Sequence, residues 1–178
     1  MSGCSLAGAG LTLVLAASWL VAAAPVPRQA PAFAFADADG KQTQLASFKG
    51  QVVVVELLLT RCPHCWRLAQ TLARLQRELG ARGFQPISIA FDNDASGPLV
   101  RDFAAHAKIG YPVGWTTADK VDALLAREEK ERFQVPQLVV IDRAGVIRAQ
   151  SLPVGETKLE NEASLRSVVD GLLREPAP

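Results

Sequence analysis

Two cysteines separated by proline and histidine, Cys62-Pro63-His64-Cys65, and a carboxylate six residues upstream, Glu56, are the residues of this 178-residue chain best placed to do chemistry. Cysteines at this spacing, at the start of a helix, can form and break a disulfide between themselves. The unpaired N–H groups and positive dipole end of such a helix favour a thiolate at Cys62. Pro63 suits the first helical turn, where its missing N–H costs nothing. His64 adds a donor and a possible positive charge beside the sulfur. Cys65, one turn further in, is the expected resolving thiol.

Other uses of the motif fit less well. A c-type haem site needs histidine directly after the second cysteine, and Trp66 stands there. A structural zinc site lacks two further ligands, since only His64 and His106 are available. A peroxidatic cysteine calls for Thr or Ser three residues earlier, where the chain has Leu59. A copper or zinc chaperone and a thiol peroxidase stay open as alternatives to disulfide exchange. No resident metal or cofactor is called for.

The elements that must position these residues are legible around them. Val52–Leu59 is apolar on both faces except at Glu56, the pattern of a strand buried in a parallel sheet. A carboxylate there loses hydration, so its pKa should rise, and it can pass protons to and from the second thiol. Leu68, Leu72, Leu75 and Leu79 then form a helical stripe that ends at Gly80. Phe33–Ala36 and Lys41–Leu45 flank Asp39-Gly40 and predict a hairpin at one sheet edge. Pro86–Phe91 reads as a second parallel strand. Asp92-Asn93-Asp94 reads as a polar loop capping the next helix. That helix, Leu99–Ala107, has Val100, Phe103 and Ala107 on one face and a solvated His106 off it. Trp115 is a core or rim aromatic, and Arg127–Arg132 reads as a solvated, charge-alternating helix face. Pro136 opens the strand Gln137–Ile141. Asp142–Gly145 turns the chain into an antiparallel edge strand, Val146–Gln150, and Leu159–Leu173 is a closing helix. The tail Glu175–Pro178 is expected to be disordered.

Residues 1–24 carry no charged side chain, and residues 6–24 are almost wholly apolar. They read as a cleaved secretory signal or a membrane anchor, with a buried cytosolic helix as the third reading. The first two place the following domain, residues 33–175, outside the cytosol after a Pro-rich linker at 25–32. A net charge of +1 and the lack of a basic stripe argue against a nucleic-acid partner. Three cysteines are too few for a disulfide-stapled scaffold.

From Ala30 to about Gly155 the chain resembles the TlpA-like, AhpC/TSA-related branch of the thioredoxin superfamily. The residues that carry the likeness are Ala30-Pro31-Ala32-Phe33, Asp39-Gly40-Lys41, Leu45 to Lys49-Gly50, the valine-rich strand into Thr60-Arg61-Cys62, and Ile141–Ile147. Pro63-His64 instead matches the dipeptide of the disulfide oxidase DsbA, which also has an acid at the place of Glu56 and valine before its cis-proline. The family usually carries aromatics at Leu57, Leu58 and Arg61, and DsbA's inserted helical domain has no room here. The resemblance implies an α/β thioredoxin-like fold, with a central mixed sheet, flanking helices and an N-terminal hairpin. It implies a cis-proline at Pro136, facing the cysteines, with the backbone of Val135 free to pair with an extended substrate. Val135, Pro136 and Trp66 are thus the substrate-facing candidates. Protein thiols or disulfides and a redox partner protein in the periplasm or cell envelope are the implied partners, with oxidation the favoured direction.

Overall fold

Seven consecutive residues, Val52–Leu58, are all buried and form the central strand, β4. This computed structural model describes residues 25–127, 133–154 and 158–177. The apolar segment at 6–24 lies outside them. Among the described residues no helix is long and apolar enough to cross a membrane.

β4 pairs in parallel with β5, Phe84–Ala90, and antiparallel with β7, Gln137–Ile141. Around these three lie β1 (Arg28–Gln29), β2 (Ala34–Asp37), β3 (Gln42–Gln44), β6 (Val113–Trp115) and β8 (Val146–Gln150). The eight strands run in the order β1-β8-β7-β4-β5-β6-β2-β3. Alternation along β4 sends its side chains to opposite layers. Val52 and Val54 pack against α1, Pro63–Leu79, and α4, Glu162–Arg174. Val53, Val55 and Leu57 pack against α3, Ala118–Leu125, together with Phe33, Phe35 and Leu45. α2, Gly97–Ala107, sets Val100, Phe103 and Ala107 against Leu58, Cys65 and Ala69. The expected mixed sheet, leucine stripe and edge hairpin are all present.

Five expectations need correction. The Pro-rich 25–32 segment is not merely a linker, because Arg28 and Gln29 pair antiparallel with Ile147 and Val146. β8 is therefore not an edge. Its outer side is paired at Val146 and Ile147, and the Arg28 guanidinium fastens the join to the Gln150 side chain (2.6 Å) and the Leu124 carbonyl (2.8 Å). Glu175 is not a loose tail. It pairs with Arg148 through two bonds of 2.8 and 3.0 Å, and its carbonyl accepts from Arg143. Arg127 is not on a solvated face. Its side chain is 9% exposed, paired with Asp122 and laid over the Phe133 ring at 4.0 Å. Residues 128–132 of that run lie outside the described residues. The loop at Asp92–Asp94, the fifth case, belongs to the site below.

The N-terminal hairpin reaches the sheet through β2, with Asp37 opposite Gly114 of β6. A Cβ at Gly114 would press on the Phe35 ring and stand 2.5 Å from the Ala36 carbonyl oxygen. Backbone cannot give way there as a flexible side chain could. Gly114→Ala is expected to cost about 1–3 kcal/mol, read as a lower urea midpoint. An unchanged midpoint would mean the hairpin docks more loosely than this contact implies.

Candidate active site

β4 ends at Leu58, and a short turn delivers Cys62 to the N-cap of α1 with extended backbone (φ −88°, ψ 114°). Pro63 is the first residue of the helix, as expected. The Cys62 sulfur accepts a hydrogen bond from the Cys65 backbone N–H at 3.4 Å, so it sits among the helix's unpaired donors. Both thiols are free. Cys62 is half-buried and Cys65 fully buried. Burial pushes the Cys65 thiol far up, with its contact to the Cys62 sulfur and the nearby Glu56 charge adding to the effect. The two sulfurs are thus unequal. One is reachable, and the other needs help to lose its proton.

The turn before Cys62 is clamped from the side. Both carboxylate oxygens of Asp92 accept from the Thr60 backbone N–H (2.9 and 3.1 Å), and one also accepts from the Thr60 hydroxyl at 3.1 Å. Arg61 pairs with Asp94 at 2.9 Å. These acids do not cap α2, whose N-cap, Ser96, makes no side-chain cap bond. The reason is the parallel pairing of β4 and β5, which ends with Leu58 beside Ala90 and so sets Thr60 next to Asp92. That pairing was the signal available for finding them. Asp92→Ala would strand the Thr60 N–H and is expected to cost about 2–3 kcal/mol. It should also make Cys62 alkylation less dependent on the folded helix end. Unchanged stability and thiol reactivity would remove the clamp from the account.

Trp66 stands close by, but its indole N–H donates to the Thr60 carbonyl at 2.8 Å. Its ring lies 4.2 Å from that of His106, tilted by 49°. His106 is therefore exposed yet packed on an active-site aromatic, not simply solvated. Trp115 packs against the cluster that includes Cys65 and Phe103. His64 is exposed, with Nδ1 2.9 Å from an Arg67 Nη atom. A guanidinium can only donate, so Nδ1 accepts and carries no hydrogen in this arrangement. Arg67, a residue the motif alone did not single out, places its own positive charge beside His64.

Pro136 follows a cis peptide bond, as the family resemblance implied. It lines a groove of about 160 Å³ together with His64, Arg67, Leu68, Thr71 and Glu160. Val135 packs against the cluster that holds Cys62 and Cys65, and its backbone makes no hydrogen bond among the described residues. The buried Gln137 amide fixes this loop, donating to the Gln134 carbonyl (2.7 Å) and the Leu152 carbonyl (3.1 Å). Nothing in the sequence distinguished Gln137 from an ordinary strand residue.

Glu56 has no exposed surface, and its neighbours in register are Ser88 on β5 and Leu138 on β7. Burial pushes its carboxyl up to about 8, against a smaller opposing effect of the Ser88 hydrogen bond. The Ser88 hydroxyl donates to Oε2 at 2.5 Å, while Oε1 is buried without a partner. The sequence-derived expectation of a raised carboxyl in this strand agrees with that environment. Among the described residues no group of three or more His, Cys, Asp or Glu is placed to hold a metal ion.

Comparison with known proteins gives the same picture. A thiol:disulfide interchange protein of the thioredoxin family from Chlorobium tepidum TLS is 27% identical, covering 85% of this chain and 99% of its own, with a TM-score of 0.67. A candidate protein disulfide isomerase from Bacteroides thetaiotaomicron is 26% identical over 88% of this chain and 94% of its own, with a TM-score of 0.70. The thioredoxin domain of a thiol-disulfide oxidoreductase from Bacteroides vulgatus, 19% identical over 82% of this chain and 99% of its own, shares the fold at a TM-score of 0.65. The AhpC/TSA family model matches residues 26–150, from the approach to β1 through the end of β8, and the chain belongs to that family.

Proposed function

We propose that the chain is a protein thiol–disulfide oxidoreductase working through Cys62 and Cys65. The observation that carries this reading is the asymmetric pair: a reachable sulfur at a helix N-terminus, a buried thiol one turn behind, and a buried carboxyl beneath. In the reducing direction the Cys62 thiolate attacks a substrate disulfide, forming a mixed disulfide and releasing one substrate thiolate. Cys65 gives its proton to Glu56 and attacks the Cys62 sulfur. The second substrate thiolate leaves, and two electrons have passed from the pair to the substrate. In the oxidising direction the same steps run backwards, and Glu56 returns the proton to Cys65.

Val135 offers its backbone to an extended substrate segment, and the groove at Pro136 receives the neighbouring side chains. Pro63-His64 favours the oxidising direction, with the Arg67 charge beside the motif acting the same way. A redox partner protein resets the pair. The apolar 6–24 segment supports work in the periplasm or cell envelope, as a secreted or membrane-anchored protein. The test is equilibration with glutathione buffers, followed by trapping of free thiols and metal analysis of the reduced protein. A potential toward the oxidising end is expected. A strongly negative one would reverse the assigned direction. A metal-loaded, redox-inactive sample would favour metal capture, and rapid peroxide consumption needing Cys62 alone would favour a peroxidase.

A further inference from the structure

The hydrogen bonds beneath the cysteines continue past Glu56. Ser88 Oγ lies 2.9 Å from the Tyr111 hydroxyl, which in turn reaches the Ala69 carbonyl of α1 at 3.2 Å. Ser88, Tyr111 and Glu56 are all buried. The titratable groups facing the carboxyl are Cys65 from α1 and Tyr111 from the segment before β6. On β7 its neighbour is the apolar Leu138. A serine hydroxyl has one hydrogen. When it is given to Oε2 at 2.5 Å, the Ser88 oxygen is left to accept from Tyr111, whose one hydrogen is then shared between Ser88 and the Ala69 carbonyl. The two hydroxyls therefore act as a prop behind one carboxyl oxygen, while the other is buried and unpartnered.

We propose that Ser88 and Tyr111 are positioning residues that reserve Oε2 of Glu56 as a fixed acceptor and confine the exchanging proton to Oε1. This rests on the reading of Glu56 as the proton carrier for Cys65. The step balances as a transfer through one intervening water, since Cys65 and Oε1 are not in direct hydrogen-bond contact. The Cys65 S–H bond breaks, the water takes that proton and passes one of its own on, an O–H bond forms at Oε1, and the Ser88 hydrogen stays where it is. Neither hydroxyl gains or loses a proton over the cycle. Burial also holds the Tyr111 phenol well above its ordinary range, so it does not compete for the proton.

The arrangement has a spectroscopic signature. If the proton sits on Oε1, the C=O of neutral Glu56 is the C–Oε2 bond, and the Ser88 donor lowers its stretching frequency. Infrared difference spectra of the reduced full chain across a pH titration should show this carboxylic band, assigned by its loss in Glu56→Gln. Ser88→Ala is expected to move the band to higher frequency and the titration midpoint up by about one pH unit, because the ionised form loses a donor. Ser88→Thr should restore both. Tyr111→Phe, which keeps the ring's packing, should produce a smaller shift of the same sign. Band and midpoint unchanged in both Ser88→Ala and Tyr111→Phe would overturn the proposal. Failure of the underlying reading shows elsewhere. If Glu56→Gln resolved mixed disulfides at the wild-type rate, Glu56 would not carry the proton and the use assigned to Oε1 would fall, whatever the band does.

Discussion

Cys62→Ser is expected to reduce disulfide exchange by about a thousandfold or more, since it removes the only sulfur of the pair that a substrate can reach. Cys65→Ser should behave differently. Cys62 still attacks, but nothing resolves the product, so a mixed disulfide accumulates. Non-reducing electrophoresis after incubation with a disulfide-bonded protein separates the outcomes. Cys62→Ser should give no adduct, and Cys65→Ser a stable one that reductant releases. Full turnover by Cys62→Ser would sink the mechanism, and a turnover-competent Cys65→Ser would make the peroxidase-like, single-cysteine reading the better one. The asymmetry follows from geometry. Reversing the burial of the two sulfurs would require unwinding the first turn of α1.

The second large effect is at Glu56, where function and stability should move in opposite directions. Its carboxyl is raised from an ordinary 4.5 to about 8, so the folded protein holds the proton more tightly than the unfolded chain does. Below about pH 4.5 both states are protonated and the group costs nothing through ionisation. Between about 4.5 and 8 the unfolded chain releases the proton first, and folding stability falls as pH rises. Above about 8 the penalty is complete, on the order of 5 kcal/mol. Glu56→Gln should therefore be more stable than the wild type, by roughly 3 kcal/mol at pH 8.5 and by far less at pH 4.5. Denaturant unfolding at the two pH values measures this. The same variant should resolve mixed disulfides roughly ten- to a hundredfold more slowly, because Cys65 loses its proton acceptor. A stability gain independent of pH would show that the carboxyl does not ionise in the folded state.

The redox half of the molecule was legible in the sequence because its signals are local. A run of valines interrupted by one acid, a two-cysteine motif and a leucine stripe each describe burial or chain direction over a few residues. The resemblance to known proteins added Pro136, which lies far along the chain. What was not legible depends on which distant segments meet. Asp92 looked like a helix cap because capping is the common use of such residues, and only the parallel register of β4 and β5 brings it to Thr60. Ser88 sat unremarked in an apolar strand, and Tyr111 in a short turn, although together they hold the carboxyl that was noticed. Arg28 looked like a linker residue because a two-residue strand leaves almost no periodicity to read. Arg127 looked solvated because alternating charge is usually exposed, but it folds back at the end of α3 onto Asp122 and Phe133, each within six residues in the chain.

The strand β1 has a mechanical consequence. From its pairing on β8 the chain passes Ala30 and Phe33, both packed on the α3 side, and then rejoins the sheet at β6 as β2. One short belt thus ties together the two flanks of the sheet. The bond from Arg28 to Gln150 spans 122 residues, so closing it forfeits chain entropy that only a nearly finished sheet can offset. The unit made by β4, α1 and β5 is built from neighbours in the chain and can condense earlier. A pull applied at residue 25 would therefore peel two residues from β8, and then strip the hairpin, before any tension reached the strand that carries Glu56 and leads to Cys62. The belt acts as a fuse: the last part to close and the first to yield, set between the N-terminal end and the redox centre.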